Sequence, residues 1–162
     1  MKNRGHSKRT KIYTPEPIAI DLIKKIPWVL DDTWCDPCSG KGVFYNNFPV
    51  ADGLKDWYEI DEGRDFFDCN KKYDWCVTNI PFDRPNEFIF KMAECSRKGF
   101  GVISLGGSMT ATRLLKLKAM GFNLIDLTRL YIRSWGFGFI TDFYVFSRIH
   151  EVKNLDVKKW ED

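Results

Sequence analysis

The stretch Asp74-Trp75-Cys76-Val77-Thr78-Asn79-Ile80-Pro81-Phe82 runs apolar and then breaks at an asparagine, a proline and an aromatic. Trp75, Cys76 and Val77 carry no helical spacing of polar residues, and Pro81 cannot continue a sheet ladder. The run therefore predicts a buried strand that delivers Asn79 to an edge. Asn79 brings an amide acceptor, Pro81 removes a backbone donor and Phe82 adds a flat apolar face. Two readings are open at this point. One is a site that holds and orients a planar amino group; the other is an ordinary turn with a core aromatic beside it.

On the amino-terminal side, Thr14 reads as a helix cap, with Pro15 tolerated in the first turn and Glu16 at the positive helix end. Ile18, Ile20, Leu22, Ile23 and Ile26 give that helix an apolar face, and it is expected to end near Pro27. Thr33 to Asp36 reads as a short strand, followed by the turn Ser39-Gly40-Lys41-Gly42 and a helix from Val43 to Asn47. An acid, two flexible backbone positions and a helix start thus come together, as at ligand crevices of open α/β sheets. Gly40-x-Gly42 alone is a weak signal. It lacks the trailing Ser or Thr of a phosphate loop and the third glycine of a dehydrogenase fingerprint. A second strand is expected from Asp56 to Ile60, carrying Glu59 near its end, where an acid can accept from two ribose hydroxyls; a solvated surface acid is the open alternative. Asp65 precedes Phe66 and Phe67, a segment able to lie under a bound base or simply to anchor a loop.

On the carboxyl-terminal side, a helix is predicted from Pro85 to Met92, with Phe88, Ile89 and Met92 facing the core. Gly99 or Gly101 closes that region before a strand from Gly101 to Leu105. A helix from Ser108 to Met120 stops at Gly121. Two further strands, 122–131 and 139–149, flank Ser134-Trp135-Gly136-Phe137-Gly138 and read as a hairpin. Trp135 and Phe137 there are either a stacking platform or core. Alternating strands and helices followed by a hairpin predict an α/β domain: a mostly parallel sheet, helices on both faces and an antiparallel edge. Asp36, Gly40, Glu59, Asp65 and Asn79 all fall at predicted carboxyl ends of strands, where ligands of such sheets bind.

The chain has 162 residues, which suits one domain over 11–150 with a sizeable core, between a basic arm over 1–10 and a charged tail over 151–162. At 44% hydrophobic and 15% aromatic it is too apolar for a disordered protein. It carries no continuous apolar run of membrane-spanning length, and no apolar segment follows the basic start as in a secretory signal. No membrane partner and a cytoplasmic setting are expected. The net charge of +3 is unevenly placed, with Lys2, Arg4, Lys8, Arg9 and Lys11 crowding the start. Such an arm permits a nucleic-acid partner, and equally a solubilising terminus. The five cysteines are an odd number and read as reduced thiols. Cys35 and Cys38 have the spacing of half a zinc site, but no second pair at that spacing follows, so no metal is assigned.

The ordered set Thr14-Pro15, Asp36-Pro37-Cys38-Ser39-Gly40-Lys41-Gly42, Glu59-Ile60, Asp65-Phe66 and Asn79-Ile80-Pro81-Phe82 resembles the S-adenosylmethionine-dependent methyltransferases that modify exocyclic amino groups, especially adenine N6. The compact form is similar to small phage and archaeal-virus members. The resemblance covers most of 11–149 and rests on the joint order of these motifs. It implies a Rossmann-like class I methyltransferase fold with a seven-stranded sheet, and S-adenosylmethionine as cofactor. Carried over, it implies that Asp36, Cys38, Gly40 and Gly42 surround the methionine part, that Thr14 and Pro15 border that end, and that Glu59 binds the ribose. Asp65 then meets the adenine amino group and Phe66 packs beside the ring. Asn79 and the Ile80 carbonyl accept hydrogens from the target amine, next to Pro81, and Phe82 stacks on the ring. Lys8, Arg9, Lys11, Trp135 and Phe137 are the implied substrate contacts, with DNA favoured over RNA. RNA or protein-glutamine methylation, and a catalytically silent nucleic-acid-binding domain, are the alternatives. The departure is Ile80, where the family pattern has a first proline; Pro81 still disfavours the helical region at Ile80.

Overall fold

The computed structural model describes residues 12–135 and 140–152. Within them a six-stranded sheet runs in the order β2-β1-β3-β4-β6-β5. The strands are β1 (Trp34–Asp36), β2 (Lys55–Trp57), β3 (Tyr73–Asn79), β4 (Ser96–Leu105), β5 (Asn123–Leu130) and β6 (Thr141–Ser147). β2, β1, β3 and β4 pair in parallel, whereas β6 pairs antiparallel with both β4 and β5. The parallel sheet with an antiparallel edge is as expected, with six strands among the described residues where the family resemblance implied seven.

Alternating side chains split the core in two. Trp34, Trp75, Val77, Ile103, Phe143 and Val145 pack with Ala19, Leu22 and Ile23 of α1 (Glu16–Ile23) and Phe44 of α2 (Val43–Asn47). On the other face Cys35, Cys76, Phe100, Val102, Tyr144 and Phe146 pack with Phe88, Ile89 and Met92 of α3 (Pro85–Cys95) and Leu117 of α4 (Ala111–Ala119). The period of two along β3 places Trp75 and Cys76 on opposite faces, and each is fully buried. All five cysteines are free thiols. Burial, and then the neighbouring Cys69 and Cys76, push the Cys95 thiol up to about 12. No helix among the described residues is long and apolar enough to cross a membrane.

Several boundaries differ from the expectation, each for a local reason. Pro15, with extended backbone, is the N-cap of α1, and Thr14 does not cap because its hydroxyl faces Asn79 instead. The helix stops at Ile23, before Pro27, and Ile20 lies on its exposed side. β2 is three residues long, shorter than 56–60, because Glu59 turns the chain into a 3-10 segment (Ile60–Glu62) by accepting the Asp61 amide. β4 follows α3 directly, so Gly99 and Gly101 lie inside a strand rather than before one. They are strand glycines because rings cross over them: a Cβ on Gly99 would sit 2.4 Å from the Trp75 ring, and one on Gly101 2.6 Å from the Phe143 ring. α4 begins at Ala111, capped by the Thr110 hydroxyl, since Gly107 at φ +77° extends the turn before it.

Candidate active site

The carboxyl ends of β1, β2 and β3 meet at the glycine turn. Asp36 ends β1 opposite Trp57 in register, and its carboxylate is fully buried. It accepts from the Thr78 hydroxyl at 2.7 Å, the Tyr45 amide at 3.2 Å and the Cys38 amide at 3.3 Å. Burial lifts its carboxyl to about 7, against the pull of Thr78, Cys38 and Tyr45, with the Glu59 charge adding to the rise. Asp36 therefore ties the end of β1 to the start of α2 and to β3, its carboxylate directed into the turn. Gly40 (φ +52°) and Gly42 (φ +82°) take left-handed conformations that favour glycine, which lets the turn tighten with Gly42 N–H donating to Ser39 at 2.6 Å.

Glu59 closes this turn from the β2 side. Its Oε2 accepts the Gly40 amide at 2.8 Å and its Oε1 the Asp61 amide at 3.3 Å. Asp65 accepts the Phe67 amide at 2.9 Å and so caps a second 3-10 segment, Phe66–Asp68. The Phe66 ring, expected beside a bound base, is 2% exposed and sits edge-on to Tyr58 at 5.4 Å, so it belongs to the core beneath this end of the sheet. Arg64 covers the Trp57 and Tyr58 rings at 4.3 and 5.2 Å.

Asn79 ends β3, opposite Ile103 in register. Its Nδ2 donates to the Ile12 carbonyl and to Thr14 Oγ1, each at 3.4 Å, while its Oδ1 is buried with no hydrogen-bond partner among the described residues. An orphaned buried acceptor is unusual, because leaving one unpaired costs about 1–3 kcal/mol. Ile80 is 2% exposed and its side chain belongs to the core on the α3 and α4 face, with its amide donating to Ile103 at 3.4 Å. Packing fixes the residue that stands where the resembled family has proline. Beyond Pro81, Phe82 is half-buried against the opposite core.

Residues 12–15 cross this end of the sheet as a strap. Tyr13 lies over the glycine turn, since a Cβ on Gly40 would come within 3.1 Å of its ring, and Lys41 Nζ stands 4.6 Å above that ring. The Tyr13 carbonyl accepts the Trp135 indole N–H at 2.8 Å. Trp135, for which a stacking platform and a core role were both open, anchors the strap and packs on the α1 and α2 core. Pro15 follows as the helix cap. Lys8, Arg9, Lys11 and Phe137 lie outside the described residues, as do the whole basic arm over 1–10 and residues 153–162 of the charged tail. Sequence reasoning missed Tyr13 and Thr78. The alternation along β3 was the available signal for Thr78, because it turns the hydroxyl inward two residues after Cys76; nothing local to Tyr13 announces its contact with Gly40.

No family model and no curated protein sequence matches the chain. Solved structures do. The methyltransferase subunit of a type I restriction-modification system from Streptococcus thermophilus aligns over 85% of this chain and 44% of its own, with TM-score 0.65 and 13% identity. The fold is that of the class I methyltransferases. A tRNA methyltransferase of M. jannaschii superposes with TM-score 0.60 and 13% identity, over 84% of this chain and 48% of that one. Magnesium protoporphyrin IX methyltransferase from Synechocystis PCC 6803, with bound S-adenosylmethionine, gives 0.52 and 13%, over 82% and 77%. The class I methyltransferase fold is thus shared with proteins whose acceptors differ widely, and the acceptor has to be argued from the site.

Proposed function

We propose that this protein transfers a methyl group from S-adenosylmethionine to an exocyclic amino group, adenine N6 in DNA before other acceptors. The observation that carries this reading is the unpartnered, buried Oδ1 of Asn79 at the carboxyl end of the central strand. It is an acceptor already desolvated and fixed, which is what an amine N–H needs.

The neighbouring residues fit the cofactor. The left-handed turn at Gly40 and Gly42, with Cys38 before it, offers a close backbone approach for the methionine part, bordered by Thr14 and Pro15. Asp36 supports it by holding the turn's shape. Glu59, reaching the same turn from β2, supplies the acceptor for ribose hydroxyls, and Asp65 the acceptor for the adenine amino group, above the floor made by Phe66. When bound, the cofactor supplies an electrophilic methyl on a sulfonium sulfur.

The chain's own part is orientation. Asn79 Oδ1 accepts one amine hydrogen and the Ile80 carbonyl the other, which turns the nitrogen lone pair out of conjugation with the ring. Phe82 offers the face against which the ring lies. That lone pair would then face the methyl of a bound cofactor, whose carbon–sulfur bond would break with its electron pair left on sulfur as the nitrogen–carbon bond formed; the surplus amine proton would pass to water afterwards, so positioning rather than a strong base is what the chain's own residues supply. In duplex DNA the base has to leave the stack first; unpaired DNA or RNA removes that cost. The Asn-Ile-Pro-Phe turn and the likeness to a restriction-modification subunit favour DNA.

The test is one methyl-transfer assay with unmodified DNA, RNA and protein acceptors side by side. The reading predicts N6-methyladenine in DNA. Methylation of RNA or a protein amide alone would move the acceptor, and cofactor binding without transfer to any of them would reduce the protein to a silent domain.

A further inference from the structure

We infer that the strap over residues 12–14 is a positioning device for the Asn79 carboxamide, with Thr14 as its side-chain contact and Trp135 as its anchor. The inference rests on the amino-group reading of Asn79 and gives Ile12, Thr14 and Trp135 a role in that site other than bordering the cofactor or contacting the substrate. A carboxamide can present either its oxygen or its nitrogen to a ligand by turning half a revolution, and only the oxygen accepts an amine hydrogen. The strap distinguishes the two states. Nδ2 donates to the Ile12 carbonyl, which can only accept, and to Thr14 Oγ1, each at 3.4 Å. In the turned state Oδ1 would face the Ile12 carbonyl oxygen, acceptor against acceptor, and Nδ2 would lie where Oδ1 now has no partner. The strap thereby selects the state in which the vacant atom is an acceptor.

The strap is itself held between those two contacts. Trp135 Nε1 donates to the carbonyl of Tyr13, the residue between Ile12 and Thr14, at 2.8 Å. The Tyr13 ring rests on Gly40, where a side chain would press it at 3.1 Å, and Lys41 Nζ stands 4.6 Å from the ring centroid. The glycine turn, the connection after β5 and the end of β3 are therefore coupled through one short segment. Thr14 is 5% exposed, so its hydroxyl works in a dry environment where a directional contact persists.

Thr14→Val removes the hydroxyl at nearly constant volume, Thr14→Ser restores it, and Trp135→Phe removes the anchoring N–H while keeping a ring. The readouts are cofactor affinity by calorimetry, single-turnover methyl transfer at saturating cofactor, and the Asn79 side-chain amide signal in the free protein, assigned by its loss in Asn79→Ala. The expected result for Thr14→Val is transfer at saturating cofactor about tenfold slower, the scale of one neutral hydrogen bond, over and above any change in cofactor affinity at this residue on the border of the cofactor site. Exchange of the Asn79 amide protons should rise about tenfold on the same basis. Thr14→Ser should return both to wild type, and Trp135→Phe should shift both in the same direction. If Thr14→Val weakens cofactor binding and leaves saturated transfer and the amide signal unchanged, the hydroxyl serves the cofactor and the inference is overturned. If wild type methylates none of the acceptors, the amino-group reading fails. The amide signal then decides the orienting contact alone: faster exchange in Thr14→Val upholds it, and an unmoved signal rejects it.

Discussion

The Glu59 carboxylate accepts the Gly40 amide at 2.8 Å, so the acid at the end of β2 and the glycine turn after β1 form one unit. The proposed cofactor site is built on that unit. Glu59→Ala is expected to weaken S-adenosylmethionine binding by about 1.5–3 kcal/mol, the range for hydrogen bonds to a charged group, or roughly tenfold to a hundredfold. Transfer at saturating cofactor should change little. Calorimetry and a cofactor titration of the rate check this, and an unchanged affinity would remove Glu59 from the cofactor site.

Ile80 holds its turn through its side chain, in the core facing α3. Restoring the proline of the resembled family should therefore harm this protein. Ile80→Pro deletes a buried aliphatic group and the N–H that donates to Ile103. A loss of about 2–5 kcal/mol is expected, as for large-to-small core changes, against about 0.5–1.5 kcal/mol for Ile80→Val. Urea unfolding of the two variants checks the order, and an Ile80→Pro protein as stable as wild type would show that the side chain contributes nothing.

Two glycines separate steric from conformational demand. A Cβ on Gly99 would lie 2.1 Å from the Phe146 carbonyl oxygen and 2.4 Å from the Trp75 ring, so the sheet has to shift to admit it. Gly107 at φ +77° has open space around it. Gly99→Ala is expected to cost about 3 kcal/mol or more, as for overpacking against rigid groups. Gly107→Ala should cost only about 1–2 kcal/mol, for the left-handed backbone. Equal losses on urea unfolding would contradict the crossing of Trp75 over β4.

Asp36 gives a pH dependence of definite sign. Burial raises its carboxyl from an ordinary 3.8 to about 7 in the folded chain, despite the donors from Thr78, Cys38 and Tyr45. Below pH 4 the group is protonated in both states. Between about 4 and 7 the unfolded chain releases its proton while the folded chain retains it, so stability falls as pH rises and levels above 7. Three pH units correspond to a change on the order of 4 kcal/mol. Burial also pushes Asp32 and Asp56 up, but Lys98, the Val29 amide and Trp75 around Asp32, and Tyr73, the Trp57 amide, Arg64 and Lys71 around Asp56, hold both below the ordinary value. Their contribution is present above that value and lost in acid, outside the Asp36 window. Asp36→Asn supplies the non-titrating reference. The stability of wild type relative to this variant should shrink between pH 4 and 7, and a difference that stays constant or grows would contradict the buried carboxyl.

The strand–helix alternation, the core faces of β3 and α3, and the gathering of Asp36, Gly40, Glu59, Asp65 and Asn79 at one end of the sheet were legible because period and turn chemistry are local. The β4 glycines were not, since only the rings of Trp75 and Phe143, from neighbouring strands, explain them. Thr14 carried a valid capping signal that a more distant partner, Asn79, overrode. Trp135 and Phe66 each carried two readings, stacking or packing, and only tertiary contacts decide between them, with Trp135 bonded to the Tyr13 carbonyl and Phe66 in the core. The gathering of these residues at one end of the sheet followed from spacing, whereas the state of their side chains depended on contacts between residues far apart in sequence.

The central claim is that Asn79 Oδ1 is vacant because it receives the acceptor amine. The most direct measurement compares wild type and Asn79→Ala in one preparation, recording S-adenosylmethionine affinity and methyl transfer to unmodified DNA. The account predicts equal cofactor affinity and a loss of transfer of about a hundredfold or more, as when a positioning contact is removed. Transfer by Asn79→Ala at the wild-type rate would contradict it.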